Sequence, residues 1–358
     1  MTRLGDVCAI RYGKDHKKLS DGSIPTYGSG GIMRYVDTAI CEQPSVLIPR
    51  KGTLGNLFYT DEPFWTVDTL FWTDIDQTKI VPKYLYYQLK QKDLASYNVG
   101  TAVPSLTVEV LNEIDLDVPS IDKQRRIVEV LNSFDSKIAL NNQLNDYLAN
   151  LCETIASRYC NDRNSRLRDI CYQVADHVDY DNANQETYVS TESLMQNKGG
   201  RQLASSLPTT GKITRYKAGD TLISNIRPYF KKIWYAPFEG TCSGDVIVFR
   251  ANDSSNAPYL HACLRQDSFF DYVMQGAKGT KMPRGDKKQM MEFKVASSCS
   301  AEDLILLDSV IKQRSDNDSE ITKLQKLRDT LLPKLMSGEI DVSKIDLTQL
   351  TNNHLVDC

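Results

Sequence analysis

The longest regular hydrophobic pattern in the chain begins near residue 127 and repeats at alternating intervals of four and three residues. The positions that follow this spacing are Leu131, Phe134, Ile138, Asn141, Asn145, Leu148, Cys152, Ile155 and Tyr159. A repeat of this kind is typical of a coiled-coil seam. The sequence therefore predicts a central long helix over residues 121–160, with two asparagines interrupting its apolar seam at mid-length.

A second segment, residues 300–340, has a comparable pattern. Ser300 followed by Asp303 resembles a capping box, and Gly338 is suited to the position just after a helix. The apolar positions of this segment are Leu307, Ile311, Ile321, Leu324, Leu331 and Leu335. Arg314 and Asp318 interrupt them near the middle. We expect a second long helix whose polar midpoint matches that of the first.

The remaining segments show the shorter pattern of strands, with β-branched and aromatic runs bounded by Gly, Pro and Asp. The strands that we predict span residues 46–49, 64–74, 221–225 and 245–250. A helix is expected after each Pro-x-Tyr-Leu sequence, over residues 82–92 and 258–272. Each segment is therefore predicted to form a compact domain of mixed α and β structure.

These two segments repeat each other, which is the strongest signal in the sequence. Residues 3–8 (RLGDVC) return as residues 166–171 (RLRDIC), and PKYL at 82–85 returns as APYL at 257–260. The spacing Gly-Thr-x-x-Pro occurs at residues 100–104 and again at 279–283. Matches in one order at a nearly constant offset indicate an internal duplication.

Connectivity then suggests the architecture. The second domain begins where the first long helix ends and finishes where the second helix begins, and domain termini usually lie close together. The two helices should therefore be antiparallel. We predict an α+β protein with two duplicated α/β domains separated by two antiparallel coiled-coil helices in a pseudo-two-fold arrangement. The predicted parts are residues 1–120, 121–160, 161–299 and 300–340, with a tail at 341–358.

Composition narrows the class of protein. The net charge of −3 argues against a general polyanion binder, but residues 201–294 hold 15 Lys and Arg against 8 Asp and Glu. No apolar run approaches the roughly 18 residues of a membrane span. The start of the sequence lacks the apolar stretch of a signal peptide, so we expect a cytoplasmic protein. Nine cysteines without a CxxC pair, and only four histidines, favour free thiols over a zinc site.

Several segments resemble the specificity subunits of type I restriction-modification enzymes. Residues 331–340 (LLPKLMSGEI) resemble the end of their C-terminal conserved helix, and residues 118–128 (VPSIDKQRRIV) resemble the start of their central one. Residues 27–31 (YGSGG) with residues 52–55 (GTLG) are similar to their first target recognition domain. Two features depart from the family: NIRP at 225–228 replaces the glycine-rich turn in the second copy, and Pro333 falls inside the last helix.

The resemblance implies a DNA-binding subunit without catalytic activity. Each domain would be a target recognition domain that reads one half of a split DNA site, and the helices would set the spacer and dock two methyltransferase subunits. S-adenosylmethionine, ATP and Mg²⁺ would be used by the methyltransferase and restriction/translocase subunits, with no cofactor in this chain.

Candidate DNA contacts occur in both domains, and Arg50-Lys51 falls at a place that corresponds to Arg227 with Lys231-Lys232. Those of the first domain are Tyr27, Ser29, Arg34, Arg50, Lys51 and Thr53. Those of the second domain are Asn225, Arg227, Tyr229, Lys231 and Lys232. A basic segment that is opposed only by Asp286 adds five candidate phosphate contacts: Lys278, Lys281, Arg284, Lys287 and Lys288. The predicted helix-pairing residues are Leu131, Phe134, Ile138, Asn141, Asn145, Leu148, Arg314, Asp318, Ile321 and Leu324.

A metal-dependent DNA endonuclease is the alternative function. Asp286 followed by Glu292-Phe-Lys294 imitates the acidic-x-Lys core of such enzymes. The duplication argues against it, because Thr107 and Asp115 of the first copy stand where the second has Asp286 and Lys294. A pure coiled-coil scaffold would leave the two β-rich domains and the basic segment without a role.

Overall fold

The computed structural model describes residues 2–100, 103–159 and 164–345. The chain forms two compact units, one of Met1–Ile138 with Thr322–Cys358 and the other of Ala139–Ile321. Two long helices, α4 (Ile121–Arg158) and α9 (Ala301–Ser337), contribute residues to both units. The first module is the part of the chain before α4, and the second module is the part between α4 and α9. The predicted domain limits at 120, 160, 299 and 340 stay a prediction.

The first module consists of short strands and three short helices. Its strands are β1 Thr2–Arg3, β2 Cys8–Tyr12, β3 Asp21–Gly28, β4 Gly31–Val36, β5 Ser45–Pro49, β6 Phe58–Thr60, β7 Trp65–Thr66, β8 Leu70–Ile75 and β9 Asp115–Leu116. Its helices are α1 Leu4–Val7, α2 Pro82–Lys90 and α3 Val108–Asn112, with a 3-10 turn at Leu94–Tyr97. The strands form a four-stranded sheet β2-β8-β5-β6, a three-stranded sheet β4-β3-β7 and the pair β1-β9.

The centre of the first module is β5, a strand whose five residues are all buried. Its neighbour β8 was predicted as part of one long strand over residues 64–74, and that prediction was wrong. The chain turns after β7, where the Leu70 amide donates to the Val67 carbonyl at 3.0 Å. Hydrophobic side chains continue through this turn because both of its arms are buried, so the sequence pattern does not show the break.

The second module has the same kinds of elements. Its strands are β10 Ser165–Arg166, β11 Cys171–Gln173, β12 His177–Asp179, β13 Lys212–Tyr216, β14 Thr221–Ser224, β15 Ile233–Tyr235, β16 Gly240–Cys242, β17 Val246–Ala251 and β18 Lys294–Val295. Its helices are α5 Leu167–Ile170, α6 Ala257–Leu264, α7 Asp267–Gln275 and α8 Lys287–Met290. Short 3-10 turns span Tyr180–Asn182, Pro228–Phe230 and Ser254–Asn256, and one more, Val342–Lys344, follows α9 in the first unit.

The duplication predicted from the sequence is confirmed in the fold. The four-stranded sheet β11-β17-β14-β15 of the second module corresponds strand by strand to β2-β8-β5-β6 of the first, and β10-β18 corresponds to β1-β9. The repeated sequence at the start of each module also makes the same contact. The amide of Arg3 donates to Asp6 Oδ2, and that of Arg166 donates to Asp169 Oδ2, both at 2.8 Å.

The single helix predicted over residues 258–272 is two helices, so this prediction was wrong. Gln266, between α6 and α7, has extended backbone angles (φ −62°, ψ 142°) that end the first helix. All eight residues of α6 are buried, and the break lets Phe269 and Phe270 of α7 also enter the core. Continuous burial again conceals the break in the sequence.

The long helices pair in antiparallel fashion within each unit, as predicted. In the second unit the end of α4 meets the start of α9, where Arg158 Nη1 lies 2.9 Å from Asp303 Oδ1. In the first unit Arg328 Nη1 of α9 lies 2.9 Å from Asp135 Oδ1 of α4. Ser300 caps α9 by accepting from the Asp303 amide at 3.1 Å, and Gly338 follows α9 with φ +76°.

Seven cysteines of the described residues are free thiols, five of them buried. Cys160 and Cys358 lie outside the described residues. Among the described helices, none combines the length and the apolar character needed to cross a bilayer.

Candidate nucleic-acid interface

Two loops that are distant in the sequence meet in the first module. The loop after β5 contains Arg50, Lys51 and Gly52, and the Gly52 amide donates to the Pro104 carbonyl at 3.0 Å. The Leu106 amide in turn donates to the Arg50 carbonyl at 3.0 Å. Gly52 has φ +93°, in the region that favours glycine. We call residues 50–53 and 103–106 the first paired loops.

The same arrangement occurs in the second module, where the loop after β14 meets the basic segment. The Arg227 amide donates to the Pro283 carbonyl at 2.8 Å, and the Gly285 amide donates to the Asn225 carbonyl at 3.3 Å. Lys278 and Arg284 exchange two backbone hydrogen bonds of 2.9 Å, which close the loop between them. We call residues 225–232 and 278–288 the second paired loops.

The backbone arrangement of the paired loops is kept although the sequences of the two modules differ at residues 225–228. Arg227 takes the place of Gly52 and keeps its positive φ, at +51°. The backbone scaffold is therefore shared, while the side chains that it presents differ between the modules.

In the first paired loops, Arg50 is held while its neighbours are exposed. Arg50 Nη1 donates to the Asp68 carbonyl at 3.0 Å, and its guanidinium lies 5.4 Å from the centre of the Tyr12 ring. Lys51 and Thr53 are exposed. These two side chains are the first module's predicted contacts that remain available to a ligand.

The other predicted contacts of the first module have structural partners elsewhere. Arg34 pairs with Asp21 at 2.6 Å, so its charge is already neutralised. Tyr27 is half-buried against Phe58, with 5.9 Å between ring centres, and burial raises the pKa of its hydroxyl. The Ser29 carbonyl accepts from Asn56. Tyr27, Ser29 and Arg34 lie outside the paired loops, and their part in DNA binding stays a prediction.

In the second module, two predicted cations are likewise held within the protein. Lys231 Nζ pairs with Asp267 at 2.8 Å, and Lys232 Nζ donates to the Thr191 carbonyl at 2.6 Å. Partial burial lowers the pKa of Lys232. Tyr229 is exposed, and its ring centre lies 4.6 Å from that of Phe230, with the two rings tilted by 58°. Lys231 and Lys232 therefore shape the loop.

The basic segment divides into paired and unpaired cations. Arg284 Nε lies 3.2 Å from Asp245, and Lys278 Nζ lies 3.9 Å from Asp286. Lys281, Lys287 and Lys288 are exposed, and no ion pair involves them among the described residues. These three side chains are the best placed of the segment to meet phosphate groups.

A polar layer joins α4 to α9 in the second unit. Asn145 Nδ2 donates to Asp318 Oδ1 at 2.7 Å, and Asn145 Oδ1 accepts from Asn317 at 2.8 Å. Asn141 Nδ2 donates to Glu320 at 2.7 Å. The pairing of Asn145 with Asp318 agrees with the expected match of midpoints. The sequence analysis missed Asn317 and Glu320, which each lie one position before a residue of the four-three spacing, Asp318 and Ile321.

Arg314 makes no hydrogen bond to the asparagines among the described residues. Its charge acts on Cys152 of the predicted α4 seam and on Asp318, and also on His261 and Arg265. Its part in helix pairing stays a prediction. That the apolar residues pair the helices stays a prediction. Leu131, Phe134, Ile138, Ile321 and Leu324 are buried, and Leu148 packs against the core of the second unit.

An ion network in the second unit was not predicted. Lys198 Nζ lies 2.9 Å from both Glu153 of α4 and Asp267 of α7. The buried Arg265 donates to the Lys198 carbonyl at 3.3 Å and lies 3.5 Å from Glu153. Lys198 stands in a positive-φ turn with no distinctive sequence around it, so no signal in the sequence could have found this network.

The sequence of the chain is similar to sequences of known proteins. Residues 1–150 match the family described as the type I restriction modification DNA specificity domain. A putative type I restriction enzyme specificity subunit of Haemophilus influenzae is 26% identical over 177 residues, 44% of each chain. The MjaIX specificity subunit of Methanocaldococcus jannaschii is 20% identical over 347 residues, covering 84% of this chain and 78% of that one. The chain is thus similar to type I specificity subunits, and the family model matches its first 150 residues.

The chain's match spans less than half the length of the Haemophilus influenzae relative. The fold extends the likeness along the whole molecule. The crystal structure of a type I restriction-modification system S subunit from M. genitalium superposes with a TM-score of 0.56 at 16% identity, covering 93% of this chain and 95% of that one. The chain therefore shares the fold of that structure.

The carboxylates of the endonuclease alternative, Asp286 and Glu292, belong to no potential metal cluster among the described residues. The Asp286 carboxylate caps α8, accepting from the amides of Lys288 and Gln289 at 2.9 and 3.1 Å, and these bonds lower its pKa. Glu292 pairs with Arg166 and Arg168. The described residues contain no cluster of three or more potential metal ligands. Both carboxylates thus have structural partners.

Proposed function

We propose that this chain is the DNA-reading subunit of a type I restriction-modification complex. Each module reads one half of a bipartite target, and the chain itself catalyses no reaction. Methyl transfer with S-adenosylmethionine belongs to two methyltransferase subunits, and ATP- and Mg²⁺-dependent cleavage belongs to restriction/translocase subunits. The complex acts in the cytoplasm.

The observation that carries this proposal is the recurrence of the paired loops. Both modules join the loop after the central strand to the Gly-Thr-x-x-Pro loop through equivalent backbone hydrogen bonds, at Gly52 and at Arg227. The side chains on these loops differ. A shared scaffold with different side chains suits two readers of different half-sites, because bases are distinguished by the groups that face them.

The surface of α4 supports a role in docking partner subunits. Leu140, Leu144 and Tyr147 stand at intervals of four and three residues, and 58%, 38% and 63% of their surfaces are exposed. Such spacing places them on one face of the helix. An exposed apolar face on a helix is typical of a protein–protein contact, and we assign it to a methyltransferase subunit.

The test is to map methylated bases across a genome that carries this chain and its partner genes. We expect a split motif that disappears when the chain is deleted. Replacing residues 164–299 by the second module of a relative should then change one half of the motif and leave the other half and its methylation intact.

A chain deletion without effect on the methylation pattern would contradict the proposal. So would a replacement that changes both halves together, because the modules would then not be independent readers. Metal-dependent cleavage of DNA by the purified chain, abolished in Glu292→Ala, would instead support the endonuclease.

A further inference from the structure

We propose that Arg227 is a base-reading residue of the second module and that the base it contacts is a guanine. This assignment rests on the proposed function and deepens it. Arg227 combines an unusual backbone conformation with a side chain that lacks partners among the described residues.

The backbone of Arg227 is the first part of the argument. Its φ of +51° lies in the left-handed region, which a β-carbon disfavours and glycine tolerates. The first module has Gly52 at the corresponding position, with φ +93° and an equivalent hydrogen bond from its amide to a proline carbonyl. Glycine would therefore suit the backbone of the second module as well. An arginine in this conformation suggests that its side chain has a function that outweighs the conformational cost.

The side chain of Arg227 is the second part. Among the described residues it makes no ion pair, and its Nε atom is buried without a hydrogen-bond partner. Its neighbours in the second paired loops differ, since Arg284 pairs with Asp245 and Lys231 pairs with Asp267. The guanidinium of Arg227 thus keeps its donors for an external acceptor.

A second unpartnered polar atom lies in the same loop. Asn225 is only 6% exposed, and its Oδ1 atom finds no donor in the part of the chain that the structure describes. The Asn225 carbonyl accepts from Gly285, which ties this residue to the basic segment. A buried amide oxygen without a partner is costly, so a ligand that reaches this loop would find hydrogen-bonding groups of both kinds.

The chemistry of the guanidinium selects guanine among the bases. Two parallel N–H donors match O6 and N7 of guanine in the major groove, whereas adenine offers a donor beside N7. A phosphate could also accept from an arginine, but the exposed Lys281, Lys287 and Lys288 of the same paired loops already supply cations for phosphates. The structure therefore favours a base contact for Arg227, whose Nε atom is buried, and phosphate contacts for the exposed lysines.

The test compares Arg227→Gly and Arg227→Lys in the complete chain assembled with its methyltransferase subunits. Binding is selected from a library of randomised DNA, and the base preference is measured at every position. Arg227→Gly restores the residue that the first module uses, so the fold should be kept. We expect a guanine preference at one position of one half-site to fall about tenfold or more, with the other half-site unchanged. Arg227→Lys, which keeps the charge but loses the fork of donors, should lose most of the same preference.

A guanine analogue identifies the contacted atom. Replacing that guanine by 7-deazaguanine removes the N7 acceptor, and it should weaken binding of the unaltered chain but leave binding of Arg227→Gly unchanged. Lys281→Gln is the matched control and should weaken binding to all sequences alike.

Three outcomes would overturn the assignment. Equal weakening on all sequences by Arg227→Gly would make Arg227 a phosphate contact, an unchanged motif would make it a structural residue, and loss of a base other than guanine would make the base assignment wrong. If the unaltered complex selects no split motif at all, the proposed function fails, and this result is separate from the three.

Discussion

His261 on α6 is enclosed by the second module, with 2% of its surface exposed. Its Nδ1 atom lies 3.1 Å from Thr221 Oγ1, and its ring packs edge-on at 5.2 Å from that of Tyr235. Burial, together with the charges of Arg265 and Arg314, lowers the pKa of His261 well below 6.5. The folded protein therefore keeps this imidazole neutral where an unfolded chain would protonate it.

This difference predicts a pH dependence of stability. Below about pH 6.5 the unfolded state takes up a proton that the folded state refuses, so the free energy of unfolding falls as the pH falls. The contribution of His261 is about 1.4 kcal/mol per pH unit in this range. Urea unfolding at pH 7 and pH 5 should show a smaller loss of stability for His261→Asn than for the unaltered chain. His177→Asn, which changes an exposed histidine, is the control, and an equal loss for His261→Asn and the unaltered chain would contradict the argument.

At the scale of elements, the basic segment combines cations that are neutralised with cations that are not. If Lys281, Lys287 and Lys288 each contact a phosphate, neutralising any one to Gln should reduce the slope of log affinity against log salt by about 0.9. Binding of the complete complex to its target, measured over a series of salt concentrations, gives this slope. Lys212→Gln is the control, since Lys212 already pairs with Asp179 at 2.7 Å. A changed base preference with an unchanged slope would assign the segment to base reading.

Hydrophobic periodicity and chain connectivity correctly predicted the two long helices, in which a single hydrophobic repeat dominates the sequence. The seam from Leu131 to Ile138 specified α4, and the position of the second module between the helices specified their antiparallel pairing. Breaks at Val67 and Gln266 were missed, because burial continues on both sides of each break. Turns of this kind depend on hydrogen bonds and backbone angles that hydrophobic pattern does not record.

Candidate contacts were harder to predict than elements, since charge alone does not show which cations are free. Lys231 is neutralised by Asp267, and Arg284 by Asp245, at separations of 36 and 39 residues. Such pairings follow from tertiary structure. The duplication was the better guide, because it pointed to the loops at Arg50 and Arg227 that the fold places in equivalent positions.

At the scale of the whole molecule, α4 and α9 are the elements that pass from one unit to the other, between Ile138 and Ala139 and between Ile321 and Thr322. In each unit a polar contact joins the two helices. This contact is Asp135–Arg328 in the first unit and Asn145–Asp318 in the second. An insertion in one helix alone would therefore break one of these layers. A test of the helices as a ruler for the DNA spacer needs matched insertions in both.

Adding one heptad after Ile138 and another after Ile321 meets this requirement. A heptad keeps the apolar seam in phase and lengthens each helix by about 10.5 Å. At about 3.4 Å per base pair, the preferred spacer should grow by about three base pairs, while both half-site sequences stay the same. Mapping methylation in cells that carry the lengthened chain measures both quantities, and a heptad added to α4 alone is the control that should abolish methylation. An unchanged spacer with intact half-sites would show that the helices hold the modules without setting the distance between the DNA sites they read.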